Sequence, residues 1–167
     1  MNESTTGTGP AGAGTRPATS RATHYLLPGF VYVAESTAIT TILGSCVAVC
    51  VWDPSRRTGG MNHFLLPHGP AERATEGRFA EHAIPRLLQK LLAAGTVPSF
   101  LQAKVFGGAS VNTAFQGAGH LGLKNVQSAL HFLDAAGIAV VAQDVGGTRG
   151  RKLIFDTDDG SAFVKYL

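Results

Sequence analysis

The sequence predicts a mixed α+β domain, with a layered β-sandwich-like core flanked by two main helices. Three observations predict it. Short runs rich in Val, Ile, Thr and Phe recur between Gly, Pro and Asp turn signals, roughly seven or eight of them, and read as strands. The run Cys46-Val47-Ala48-Val49-Cys50-Val51-Trp52 has no polar alternation, as expected of a strand buried on both faces. Only two segments carry a helical period, too few to supply the crossovers of a doubly wound parallel sheet.

The elements follow in order. Residues 1–23 are small, polar and glycine-rich and bury too little to offset chain entropy, so a disordered tail is expected there and a single domain over 24–167. His24 to Leu27 opens that domain, closed by the turn signal Pro28-Gly29. Strands are expected over Phe30–Ala34, Ala38–Leu43 and Cys46–Trp52. Asp53-Pro54-Ser55 with Gly59-Gly60 reads as a hairpin connection to a strand from Met61 to Leu66. Phe79, Ala83, Leu87, Leu88, Leu91 and Leu92 then fall at helical spacing, with Pro85 inside the pattern and Gly95 as the stop. After a short strand at Ala103–Phe106, a second helix fits Lys124–Ala136, with Val126, Ala129, Leu130 and Leu133 inward. Strands at Ile138–Ala142, Lys152–Phe155 and Ala162–Tyr166 complete the chain.

Composition narrows the function. A hydrophobic share of 44% with 15% charged residues is that of a globular domain. The net charge of +3 is small, and its basic residues, Arg56-Arg57 and Arg149, Arg151 and Lys152, form no stripe with aromatics. Nucleic acid is therefore not expected as a partner. No apolar stretch reaches the roughly 20 residues of a membrane span, and the N-terminus lacks a signal-peptide core. Cys46 and Cys50 on one strand would lie about 13 Å apart, too far for a disulfide. A reducing, cytoplasmic setting is expected.

The chemistry-bearing feature is the thiol of Cys46, set straight after Gly44-Ser45, with His63 on the returning strand. A neighbouring imidazole can lower a thiol's pKa by about two units or more, and the Cys46 amide can donate to a developing oxyanion. Cys50, between two valines, reads as an inert core residue. Cys46, Cys50, His63 and His68 match no usual zinc spacing, and no metal or cofactor is expected. Gly107-Gly108-Ala109-Ser110 lacks the remaining features of a phosphate loop, and Gly146-Gly147 is a turn that can line the site.

The blocks Thr40-Thr41-Ile42-Leu43-Gly44-Ser45-Cys46 and Gly60-Met61-Asn62-His63-Phe64-Leu65-Leu66-Pro67 strongly resemble CheD, the chemoreceptor glutamine deamidases of bacterial and archaeal chemotaxis. The likeness continues through Lys104–Ala109, Gly122–Val126, Asp144–Gly147 and Gly150–Lys152. It implies a Cys-His-Thr triad in which Cys46 is the nucleophile and His63 the base. The threonine precedes the cysteine on the incoming strand. Gapless alignment gives Thr40, while a one-residue shift would give Thr41, on the opposite face. The resemblance also implies a fold similar to the catalytic domain of cytotoxic necrotizing factor toxins. The implied substrate is a glutamine on the cytoplasmic helices of a chemoreceptor, without membrane insertion. A further implied partner is a CheC-type phosphatase, whose regulation is the alternative role.

Overall fold

A computed structural model describes residues 21–70, 77–111 and 118–167. Within them, nine strands and two α-helices make two sheets. The strands are β1 (Ala22–Tyr25), β2 (Val31–Glu35), β3 (Thr37–Leu43), β4 (Val47–Asp53), β5 (Thr58–Asn62), β6 (Gln102–Gly107), β7 (Ala139–Val145), β8 (Arg151–Asp156) and β9 (Ala162–Tyr166). The helices are α1 (Ala80–Ala93) and α2 (Ala118–Ala135). One sheet has the order β1-β3-β8-β9 and the other β2-β5-β4-β6-β7.

The mixed α+β class is thus as expected, in three layers. Val47, Val49 and Val51 on one face of β4 pack with Ala83, Leu87, Leu91, Ala129 and Leu133 of the helices. Ala48 and Cys50 on its other face pack with Ile39, Leu43, Leu153 and Phe155 of the second sheet. That is why the sequence of β4 is apolar without alternation. Each buried Val or Leu contributes roughly 1.5–3 kcal/mol to the core. The parallel pair β6 and β7 is joined through α2, the one helical crossover among the described residues.

Several boundaries differ from the sequence expectation. Order begins before His24: Ala22 and Thr23 already pair with Thr37 and Ala38 in a parallel ladder. The rest of the expected tail, residues 1–20, lies outside the described residues. Gly59 and Gly60 are strand residues of β5, not a turn. A Cβ on Gly60 would stand 2.7 Å from Val33 Cγ2 and 2.8 Å from Leu87 Cδ1. The glycine is there to let α1 approach the sheet. Pro85 sits inside α1, which starts at Ala80, and α2 begins six residues before the expected Lys124.

Candidate active site

Between Leu43 and Val47 the chain crosses from one sheet to the other, and Cys46 lies on this crossing. The carbonyls of the segment are all held from behind. Ala109 N–H donates to Gly44 O (2.8 Å), Asn125 Nδ2 to Ser45 O (3.0 Å) and Gly108 N–H to Cys46 O (2.8 Å). Such close backbone approach demands glycine at Gly107 and Gly108, with φ of +105° and +69°. A Cβ on Gly107 would collide with the carbonyl of Cys46. Gly146 N–H in turn donates to Gly107 O (2.9 Å), so the second glycine turn supports the first.

His63 follows the end of β5. Val47 and Phe64 exchange both backbone hydrogen bonds, at 3.1 and 3.0 Å, in the register of the β4–β5 ladder. Cys46 and His63 each precede a member of this bridged pair, so the bridge brings the two backbones near each other at the end of the ladder. Both face the space between the sheets: Cys46 packs on the inter-sheet core, and His63 reaches Thr41 of β3. The Pro28-Gly29 turn fixes the histidine backbone, through Gly29 N–H to His63 O (2.7 Å) and His63 N–H to Phe30 O (3.1 Å).

The hydrogen bonds of His63 define its tautomer. Thr41 Oγ1 lies 2.8 Å from Leu26 O and 2.8 Å from His63 Nδ1. A carbonyl can only accept, so the single hydroxyl proton goes to Leu26, and Thr41 accepts from Nδ1–H. Nε2 is left with a free lone pair, buried and unpartnered among the described residues. Burial pushes the His63 pKa down to about 4, so the ring is neutral at neutral pH.

Burial likewise raises the Cys46 thiol, against a smaller opposing effect of its own backbone amide. The expectation that the imidazole lowers this thiol is therefore not met. Both groups lose solvation, and neither charge is present to favour the other. At rest the pair is thiol plus imidazole. Cys50 is 1% exposed in the inter-sheet core, its thiol raised by burial.

The structure places Thr41, not Thr40, against His63. Thr40 Oγ1 donates to Leu153 O of β8 (3.0 Å) on the outer side of the strand. β3 alternates so that Thr37, Ile39, Thr41 and Leu43 are buried and Ala38, Thr40 and Ile42 are not. Replacing Thr41 with valine strands a buried Nδ1–H and frees the ring to take the wrong tautomer. A fall in kcat of about 10- to 100-fold is expected, against less than about twofold for Thr40→Val. Steady-state rates of the two variants side by side check this.

Asn125 was not foreseen as part of the site. It is fully buried, and its Nδ2 also donates to Leu65 O (2.8 Å). The signal was present: Asn125 stands four residues before Ala129 and eight before Leu133, a polar side chain on the inward stripe of a helix.

Two sheets and two helices define an α+β protein in which Cys46 and the hydrogen-bonded pair His63 and Thr41 both border the space between the sheets. The family model described as CheD chemotactic sensory transduction matches residues 65–166. The chain is 55% identical over 159 residues to "Probable chemoreceptor glutamine deamidase CheD 1" of Anaeromyxobacter dehalogenans, covering 95% of this chain and 92% of that protein. It is 45% identical to a protein of Trichlorobacter lovleyi named probable chemoreceptor glutamine deamidase CheD, over 82% and 86% of the two chains. Among solved structures it is similar to Neisseria meningitidis protein NMB0706, at a TM-score of 0.47 and 12% identity over 81% and 75% of the chains. The chain belongs to the CheD family.

Proposed function

We propose that this chain is a cytoplasmic protein-glutamine deamidase that converts chemoreceptor glutamines to glutamate, with Cys46 as nucleophile, His63 as base and Thr41 orienting the ring. The observation that carries this reading is the chain Leu26 O, Thr41 hydroxyl, His63 Nδ1–H, which leaves Nε2 as a base at the space between the sheets that Cys46 also borders. The names of the relatives supply the substrate class.

In this mechanism Nε2 takes the thiol proton as sulfur attacks the side-chain carbonyl carbon of glutamine. The amide of Cys46 donates to the oxyanion. The C–N bond breaks, ammonia leaves with the proton from His63, and a thioester remains. His63 then takes a proton from water, whose oxygen attacks the thioester. Sulfur departs and is reprotonated, and glutamate is released. Because both groups rest neutral, proton transfer accompanies attack instead of preceding it.

The rim fits a protein substrate. Leu27 and Phe30 are exposed beside the backbone that holds His63, and Val111 is exposed against Gly44. Large exposed apolar side chains around a site are a signature of macromolecular docking. The layered core also suits the likeness to the necrotizing factor catalytic domain that the resemblance to CheD implies.

The test is mass spectrometry of a chemoreceptor cytoplasmic fragment incubated with wild type and with Cys46→Ala. A gain of about one dalton per modified site with wild type alone is expected, since removing the nucleophile ends covalent catalysis. A receptor left unmodified by wild type, with a CheC-type phosphatase still bound, would instead favour the regulatory role.

A further inference from the structure

The ladder that carries the site ends early. Val47 and Phe64 form its last backbone bridge. Beyond it the two segments part, and the N–H groups of Leu65 and Leu66 both turn to Arg78 O (2.8 and 3.1 Å). At this point one side chain takes the place of the missing rung. Asn125 Nδ2 donates one proton to Ser45 O, next to Cys46, and the other to Leu65 O, two residues past His63.

We infer that Asn125 is a positioning residue for the thiol and imidazole, its amide setting the spacing between the Cys46 segment and the His63 segment; the inference rests on the deamidase reading above. Both partners are carbonyls, so the amide orientation is fixed and no carboxylate could replace it. Its mount is rigid. Val126 and Ala129 of α2 are in the helix–sheet core, and a Cβ on Gly122 would collide with Gly108 O, so helix and glycine turn touch through backbone. The asparagine is satisfied on one side only: Nδ2 serves two carbonyls, while its other polar atom has no partner among the described residues. Oδ1 is buried and unpartnered among the described residues, a desolvated acceptor that a leucine of similar volume would not carry.

The experiment compares wild type, Asn125→Leu, His63→Gln and the double variant by two readouts: deamidation of the receptor fragment, and alkylation of Cys46 by iodoacetamide near pH 7 with no receptor present. Expected for Asn125→Leu is a fall in kcat of about 30-fold with KM within about twofold, and alkylation about tenfold slower, down to the rate of His63→Gln. In the double variant neither rate drops further than in His63→Gln, because residues acting through one contact are not additive.

Additive losses, or an Asn125→Leu chain alkylated as fast as wild type, would overturn the inference and leave a structural clip. A His63→Gln chain alkylated as fast as wild type would overturn it as well, since no coupling would exist to position. If Asn125→Leu fails to fold, Asn125→Ser keeps one donor and is expected to fall between, on both readouts; wild-type behaviour of the serine variant would also overturn it. Alkylation needs no receptor, so a wild type that fails to deamidate sinks the substrate reading without touching this one.

Discussion

His63→Gln loses about 10³- to 10⁴-fold in kcat on a receptor substrate while remaining folded, and it loses the acid sensitivity of the wild type. Glutamine is close to histidine in size and can still meet the Thr41 hydroxyl, so the buried neighbourhood is kept. It cannot take a proton from the thiol. The pH behaviour follows from the wild-type ring, whose pKa is pushed from 6.5 to about 4 by burial. Between those values the unfolded chain protonates this imidazole and the folded chain does not. Acid therefore favours unfolding, and stability is full above pH 6.5 and declines as pH falls toward 4. The decline amounts to roughly 3 kcal/mol for a shift of this size. Urea midpoints at pH 7.5 and 4.5 capture about 2.5 kcal/mol of it, and the difference should shrink by that much in the glutamine variant. Activity should show no acid limb near 6.5, because the base form persists below it. It should rise into the alkaline range, where the raised thiol begins to ionise. An acid limb centred on pH 6.5 in kcat would contradict a buried neutral base.

How much of this was legible in the sequence depended on whether a residue's surroundings are local. The two-sided burial of β4 could be read because its seven residues are apolar throughout. Cys46 and His63 could be picked out because each stands next to a member of the bridged pair Val47 and Phe64. The choice between Thr40 and Thr41 could not be made from pattern. Ala38 and Ile42 flank Thr40 with almost the same apolar character as Ile39 and Leu43 beside Thr41, so alternation gives no preferred face. The bend at Gly44-Ser45 also breaks the parity between β3 and Cys46. Gly59-Gly60 reads as a turn by composition, and only the approach of Leu87 from α1 shows why a strand needs glycine there. β1 escaped notice because its four residues are mostly exposed and gain their place by pairing with β3. Asn125 acts across 80 residues of sequence, on Ser45, a separation at which no local pattern carries information.

Arg151→Met lowers stability by about 2–4 kcal/mol, although the sequence shows this arginine only as one of a few basic residues that form no stripe. Arg151 is 2% exposed. Its Nε donates to Asp144 Oδ1 (2.9 Å) and its Nη2 to Gly146 O (2.7 Å), with Nη1 aimed at Gly107 O at 3.4 Å. A methionine fills much of the volume and supplies no donor, so Gly146 O and the Asp144 carboxylate lose the guanidinium, while Gly107 O keeps the Gly146 N–H. The loss stays below that of a fully buried pair because the Asp144 side chain is 29% exposed and keeps the Tyr166 hydroxyl at 2.8 Å. Urea unfolding should show a lower midpoint at unchanged slope. Lysine is no rescue, since a single ammonium cannot reach three acceptors spread around a planar fork. The same contacts lie two steps from Cys46, from Arg151 to Gly107 and Gly146, and from Gly108 to the Cys46 carbonyl. Where the methionine variant is still folded, those backbone bonds remain, so kcat should hold within a few-fold of wild type. A stability change under about 1 kcal/mol would mean that the glycine turns stand without the guanidinium. A collapse of kcat in the folded variant would mean that the arginine aligns the thiol directly.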